Sequence, residues 1–216
     1  MTGLMIKDCL VMRKTLKSYL LIMALYAVLA WLDILNYGFI ITFIQVMLMV
    51  LPITAFSYDE LAKWDRYAMS LPLGRGKVVG ARYLFVLVLT LCTTAIGLAT
   101  TAILTLVREV EPVEMLLTLE VSTTIGLLVP AIILPLCYKL GAERARPYLY
   151  AIIFIPVILV VLLAKIDAID FSALNRLDTL SPAAILGGAA LLPAAGLAAL
   201  AVSYLISCRV AANKEY

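Results

Sequence analysis

The chain has 216 residues, 64% hydrophobic and only 14% charged, with a formal net charge of +3 and a mean hydropathy of +1.07. A soluble domain carries roughly 45–50% apolar and about 25% charged residues, and one core of this size cannot hide such an excess from water, so a soluble enzyme is excluded and the bilayer is the main solvent. The absence of His removes imidazole acid/base chemistry and His-ligated metal or haem. The four scattered cysteines, Cys9, Cys92, Cys137 and Cys208, form neither a disulfide scaffold nor a CxxC pair.

From the N-terminus, residues 1–17 read as a short amphipathic interfacial helix. Leu4, Met5, Leu10, Val11 and Met12 give an apolar side, while Lys7, Asp8, Arg13, Lys14 and Lys17 can reach lipid head groups. A basic topogenic tail accounts for the same charges. The stretch does not read as a removable signal peptide, because the apolar run after it is long enough to span and lacks a small-x-small site. Residues 18–216 form a single transmembrane domain. A span needs about 20 mostly apolar residues, and six runs qualify: 18–35, 37–56, 83–107, 121–138, 148–164 and 182–206. Asn36, Tyr37 and Gly38 supply a tight turn between the first two. Pro193 divides the last run and Gly187 and Gly188 weaken it, so 182–191 is either part of the last span or a re-entrant outer helix. Pro52, Pro130, Pro135 and Pro156 fall inside spans, where neighbouring helices can satisfy freed carbonyls.

Orientation follows from Lys and Arg near the span ends. With both termini cytoplasmic, the inner segments hold Lys7, Arg13, Lys14, Lys17, Lys63, Arg66, Arg75, Lys77, Arg82, Lys139, Arg144, Arg146, Arg209 and Lys214. Those are fourteen of the seventeen basic residues; Arg108, Lys165 and Arg176 remain outside, among eight carboxylates. Such a split requires an even number of spans.

The first inner loop, 57–81, is the richest segment. Ser57 and Glu60 have the spacing of a capping box, so a helix is expected to start there in water. Leu61, Trp64, Ala68 and Leu71 then recur at three- and four-residue steps. Pro72 and Gly74 end that helix, and Arg75, Lys77 and Arg82 mark the return to the membrane. Two readings stand: an amphipathic helix lying on lipid, or a docking helix whose Trp and Tyr anchor in a partner's groove.

The run D-E-x-x-x-W-D-R-Y-A-x-S-L-P-x-x-R-x-K-V-V, from Asp59 to Val79, resembles the first cytoplasmic loop of ABC-2-type transporter permeases. The tail from Ser203 through Ser207 and Arg209 to Lys214 also looks like that family's last helix and charged end. The nearer likeness is to small bacterial six-span permeases that include the membrane subunit of phenol-soluble modulin and antimicrobial peptide exporters. The resemblance implies an all-α polytopic membrane protein with six transmembrane helices, an N-terminal amphipathic interfacial helix and a cytoplasmic coupling helix. It implies a bacterial cytoplasmic membrane location and a second permease copy, as a homodimer or a paralogous heterodimer. Two copies of an ABC ATPase subunit would bind the ATP and Mg, with no cofactor in this chain and no nucleic acid as partner. The coupling role falls on residues 59–71, with Asp59, Glu60, Leu61, Lys63, Trp64, Asp65, Arg66, Tyr67, Ser70 and Leu71 as ATPase-docking residues. Amphipathic or antimicrobial peptides, or other hydrophobic cargo, would be exported.

No chemistry of its own is visible. Gly74-Arg75-Gly76-Lys77-Val78 lacks the spacing and the hydroxyl of a P-loop, and no serine-hydrolase, zincin or paired intramembrane Asp pattern occurs. With no charge deep in a span, a proton-coupled carrier is disfavoured. Gln45, Thr90, Thr94, Thr101 and Thr123 are candidate path-lining residues, against ordinary interhelical packing. The competing functional classes are an ATP-independent secondary transporter or channel, and a membrane scaffold or immunity subunit.

Overall fold

A computed structural model of the chain describes residues 2–32, 34–64, 75–108, 110–165 and 182–213. Eight helices account for most of them: α1 (Thr2–Val11), α2 (Arg13–Trp31), α3 (Tyr37–Leu61), α4 (Arg75–Arg108), α5 (Pro112–Leu140), α6 (Ala142–Lys165), α7 (Pro182–Ala189) and α8 (Leu191–Asn213). No strand occurs among the described residues. Six helical stretches are long and apolar enough to cross a membrane, the last running Ala184–Asn213. The chain is an all-α polytopic membrane protein.

The bundle is organised on α5, which packs most extensively against α8 and α3, and also against α6 and α4. Its buried side carries Leu119, Ser122, Thr123, Gly126, Leu127 and Leu134, a mixture of small and branched residues that lets helix backbones approach. Gly196 of α8 sits against that side, where an added Cβ would lie 3.1 Å from the Cβ of Leu127. Val86, Leu127, Ile133, Leu134 and Leu200 form the dry centre. By contrast, no residue in the most apolar stretch of α6 is buried, and hardly any in α2. Apolar side chains gain little by leaving lipid for protein, so such helices need not be covered.

Local signals set the helix ends. Asn36 caps α3, its side chain accepting the amide of Gly38 at 2.8 Å. Pro112 opens α5, with Glu114 in its first turn and Lys139 in its last, matching the helix dipole. The helix is interrupted between α7 and α8 at Ala190, because Pro193 has no N–H for the Ala189 carbonyl. Pro182–Ala189 is thus a short helix that leads into α8, and most of it belongs to the last membrane-crossing stretch, Ala184–Asn213.

The helices outrun the apolar runs. α4 starts at Arg75 rather than 83, α5 at Pro112 rather than 121, and α3 continues to Leu61 rather than 56, because an α-helix is held by its own backbone hydrogen bonds and does not need apolar side chains to continue. The first span runs earlier than expected, over Arg13–Trp31, and the N-terminal helix is shorter, ending at Val11. Residues 166–181, between α6 and α7, lie outside the described residues.

Candidate functional site: a buried charge cluster at the basic end

One end of the bundle gathers α1, the end of α3, the start of α4 and the α5–α6 joint. Arg82 lies seven residues into α4, between apolar Val79, Ala81, Tyr83 and Phe85, all buried. A guanidinium held there must find carboxylates. It donates from Nη1 to Asp8 of α1 at 3.0 Å and from Nη2 to Asp59 of α3, and stacks over the Phe56 ring at 4.7 Å. Lys7 closes the square, 2.6 Å from Asp59 and 3.0 Å from Asp8, with its ammonium 4.5 Å over the Trp64 ring.

This geometry changes the reading of the N-terminal helix. Asp8 was expected to reach head groups; it is buried, and Met12 beside it packs with Met47, Leu51, Ala55 and Phe85. The reason is Arg82, whose charge inside the apolar start of α4 demands a carboxylate that α1 delivers. α1 is therefore packed into the bundle rather than resting wholly on lipid.

The helix start expected at Ser57 is also corrected. α3 runs unbroken through it, with Ser57 donating to the Ile53 carbonyl at 3.1 Å. Inside a helix a Ser hydroxyl readily bonds the carbonyl four residues back, and no Gly or Pro lies between Phe56 and Leu61 to stop the helix earlier. Glu60 caps a different helix: its Oε2 accepts the amides of Ala142 at 2.7 Å and Glu143 at 3.3 Å, at the N-terminus of α6. Arg146 donates to Ser57 at 3.2 Å. Past Leu61, which is exposed, Lys63 takes a left-handed φ of 51° and turns the chain before Trp64.

Of the residues expected to dock an ATPase, Asp59, Glu60, Leu61, Lys63 and Trp64 thus come together at the end of α3. Asp65, Arg66, Tyr67, Ser70 and Leu71 lie outside the described residues.

The candidate path residues are placed differently. Gln45, Thr90, Thr101 and Thr123 are buried inside the protomer, and Thr94 is half-buried. Thr90 and Thr101 donate to their own helix carbonyls, at Val86 and Gly97. Thr93 of α4, adjacent to the expected Thr94, is the residue that reaches Gln45, donating to its Oε1 at 3.1 Å. Gln45 Nε2 and Thr123 Oγ1 are buried with no hydrogen-bond partner.

A second polar node escaped the sequence reading. Tyr83 of α4 brings its hydroxyl to within 2.6 Å of Ser203 Oγ and 2.7 Å of Ser207 Oγ, both on α8, and its ring meets Tyr204 edge to face at 5.4 Å. The four-residue step between the serines, which puts both hydroxyls on one helix face, was the available signal. For Arg82 it was a charge set inside an apolar helix start. No group of Cys, Asp and Glu suited to a metal ion occurs among the described residues.

Six apolar spans with a charged, capped junction at one end define a polytopic membrane protein. The chain belongs to the ABC-2 family transporter proteins, whose family model matches residues 3–211. Searches of curated proteins and of solved structures found no match.

Proposed function

We propose that the chain is the permease subunit of an ATP-driven exporter, docked through residues 59–71 on a separate ATP-binding subunit and working as a pair of copies in a bacterial cytoplasmic membrane. The family match over residues 3–211 carries the reading. In this orientation the basic end faces the cytoplasm, as the excess of Lys and Arg there favours, and the turn at Lys63 offers Leu61 and Trp64 at that end to a partner. Closure of the ATPase pair on ATP pushes the two segments and shifts the populations of alternately open states.

The proposed cargo is an amphipathic or otherwise hydrophobic peptide. The apolar groove of about 460 Å³ between α4 and α8, lined by Leu84, Leu87, Leu197 and Ala201 among others, suits such a cargo.

Co-purification from cells expressing the chain with its cognate ATP-binding subunit tests the docking. The expected result is a complex that Trp64→Ala or Arg66→Glu weakens; a complex unaffected by Arg66→Glu and, in a separate variant, by deletion of 64–71 overturns it. Inverted vesicles that take up an amphipathic peptide only with ATP support the cargo class, and uptake driven by an ion gradient without the ATPase opposes it.

A further inference from the structure

We infer that Glu60 is a positioning residue that fastens α6 to the end of α3, so that displacement of the 59–71 segment is delivered to α6 as the swing of an arm. The inference rests on the docking role proposed for that segment.

The observations concern how unevenly α6 is held. At its base, Glu60 takes the first two amides of α6, Arg146 reaches Ser57, and Ala142 and Ala145 are buried in the main core. Beyond the base, the side chains from Phe154 to Leu162 are largely exposed. An apolar cavity of about 370 Å³, bordered by Met49, Ile132, Ile153 and Pro156, separates α6 from α3 and α5, and another of about 220 Å³ lies between Thr54, Ser57 and Tyr150. Two prolines inside α6, Pro147 and Pro156, remove ladder hydrogen bonds.

The joint itself is built for a close fit. Gly141, between α5 and α6, has φ +88° and ψ 163°, a region open essentially to Gly. A Cβ there would lie 2.7 Å from Glu60 Oε1. Glu60 stands four residues before Trp64 and four after the buried Phe56, so a push on the segment reaches the α6 amides through one side chain. An arm pinned at its base and standing off the bundle transmits motion; an arm packed along its length would only transmit strain.

The test uses the full chain in lipid nanodiscs, with the four native cysteines replaced and spin labels at Lys63→Cys and Arg144→Cys. A narrow distance distribution is expected in the parent and in Glu60→Gln, whose amide oxygen still accepts, and a broadened one in Glu60→Ala. An unchanged distribution in Glu60→Ala, with elution and helicity like the parent, overturns the pin. A second label pair, Val121→Cys and Val160→Cys, is then read in the complex with the ATPase. With the ATPase at a concentration that saturates the complex for every variant, an ATP-dependent shift is expected in the parent and in Glu60→Gln and lost in Glu60→Ala. A shift that persists in Glu60→Ala, or is absent from the parent complex, overturns the delivery of motion. Failure of the parent to form a complex defeats the docking role, and with it the delivery, while the first label pair still decides the pin.

Discussion

Arg82 Nη1 lies 3.0 Å from Asp8 Oδ2, across 74 residues of sequence, with both side chains buried. Bound also to Asp59, this guanidinium holds α1, α3 and α4 together at one end of the bundle. Removing one partner from such a set leaves an uncompensated buried charge, whereas the intact set contributes little over an apolar replacement.

Arg82→Ala is therefore expected to destabilise the protein by about 3–5 kcal/mol, measured by denaturant or thermal unfolding in detergent. Arg82→Lys is expected to recover only part of this, since an ammonium cannot offer the two-armed fork that reaches Asp8 and Asp59 together. Asp8→Asn and Asp59→Asn are expected to be non-additive, because they share one partner.

Salt supplies an independent check. Screening acts on exposed charges and weakly on buried ones, so the stability difference between the parent and Asp8→Asn is expected to stay nearly constant from low to high ionic strength. A difference that collapses in salt would place Asp8 at the surface.

Tyr83→Phe removes one hydroxyl from the node with Ser203 and Ser207 and is expected to cost about 1 kcal/mol. Ser203→Ala and Ser207→Ala are each expected to cost less, since Tyr83 keeps the other serine. Unfolding midpoints of the three variants in the same detergent decide the order.

At Gly141 the backbone rather than packing sets the cost. Gly141→Ala is expected to destabilise by about 1–3 kcal/mol from the disfavoured φ and ψ, with a further clash against Glu60. The double variant with Glu60→Ala is expected to be less destabilised than the sum of the two single variants, as a thermal double-mutant cycle would show.

Gly196→Leu is expected to cost about 1–3 kcal/mol through overpacking against Leu127. Leu197→Ala, next to it but exposed, is expected to change stability far less.

The spans were legible because apolar length is a property of consecutive residues, as were the Asn36 turn and the Pro193 break. The ends were not: hydropathy stops at the first charge, while helical hydrogen bonding continues to Leu61 in α3 and begins at Arg75 in α4. The Ser57–Glu60 spacing misled for a related reason. Both residues have the right types for an N-terminus, but whether Glu60 caps its own helix or another depends on α6 arriving beside it, and that is set by the Gly141 joint 81 positions away. Arg82 was counted among basic residues flanking a span, because its partners, Asp8 and Asp59, come from segments that only the fold brings together. The same holds for Gln45, whose Oε1 accepts from Thr93 of α4.

The square of Lys7, Asp8, Asp59 and Arg82 holds two positive and two negative groups. Moving one elementary charge through a membrane potential of 100 mV is worth about 2.3 kcal/mol, but a set whose formal charges cancel feels no net pull. The tie between α1, α3 and α4 therefore moves no net charge when it shifts as a unit, so its displacement along the membrane normal draws no work from the membrane potential.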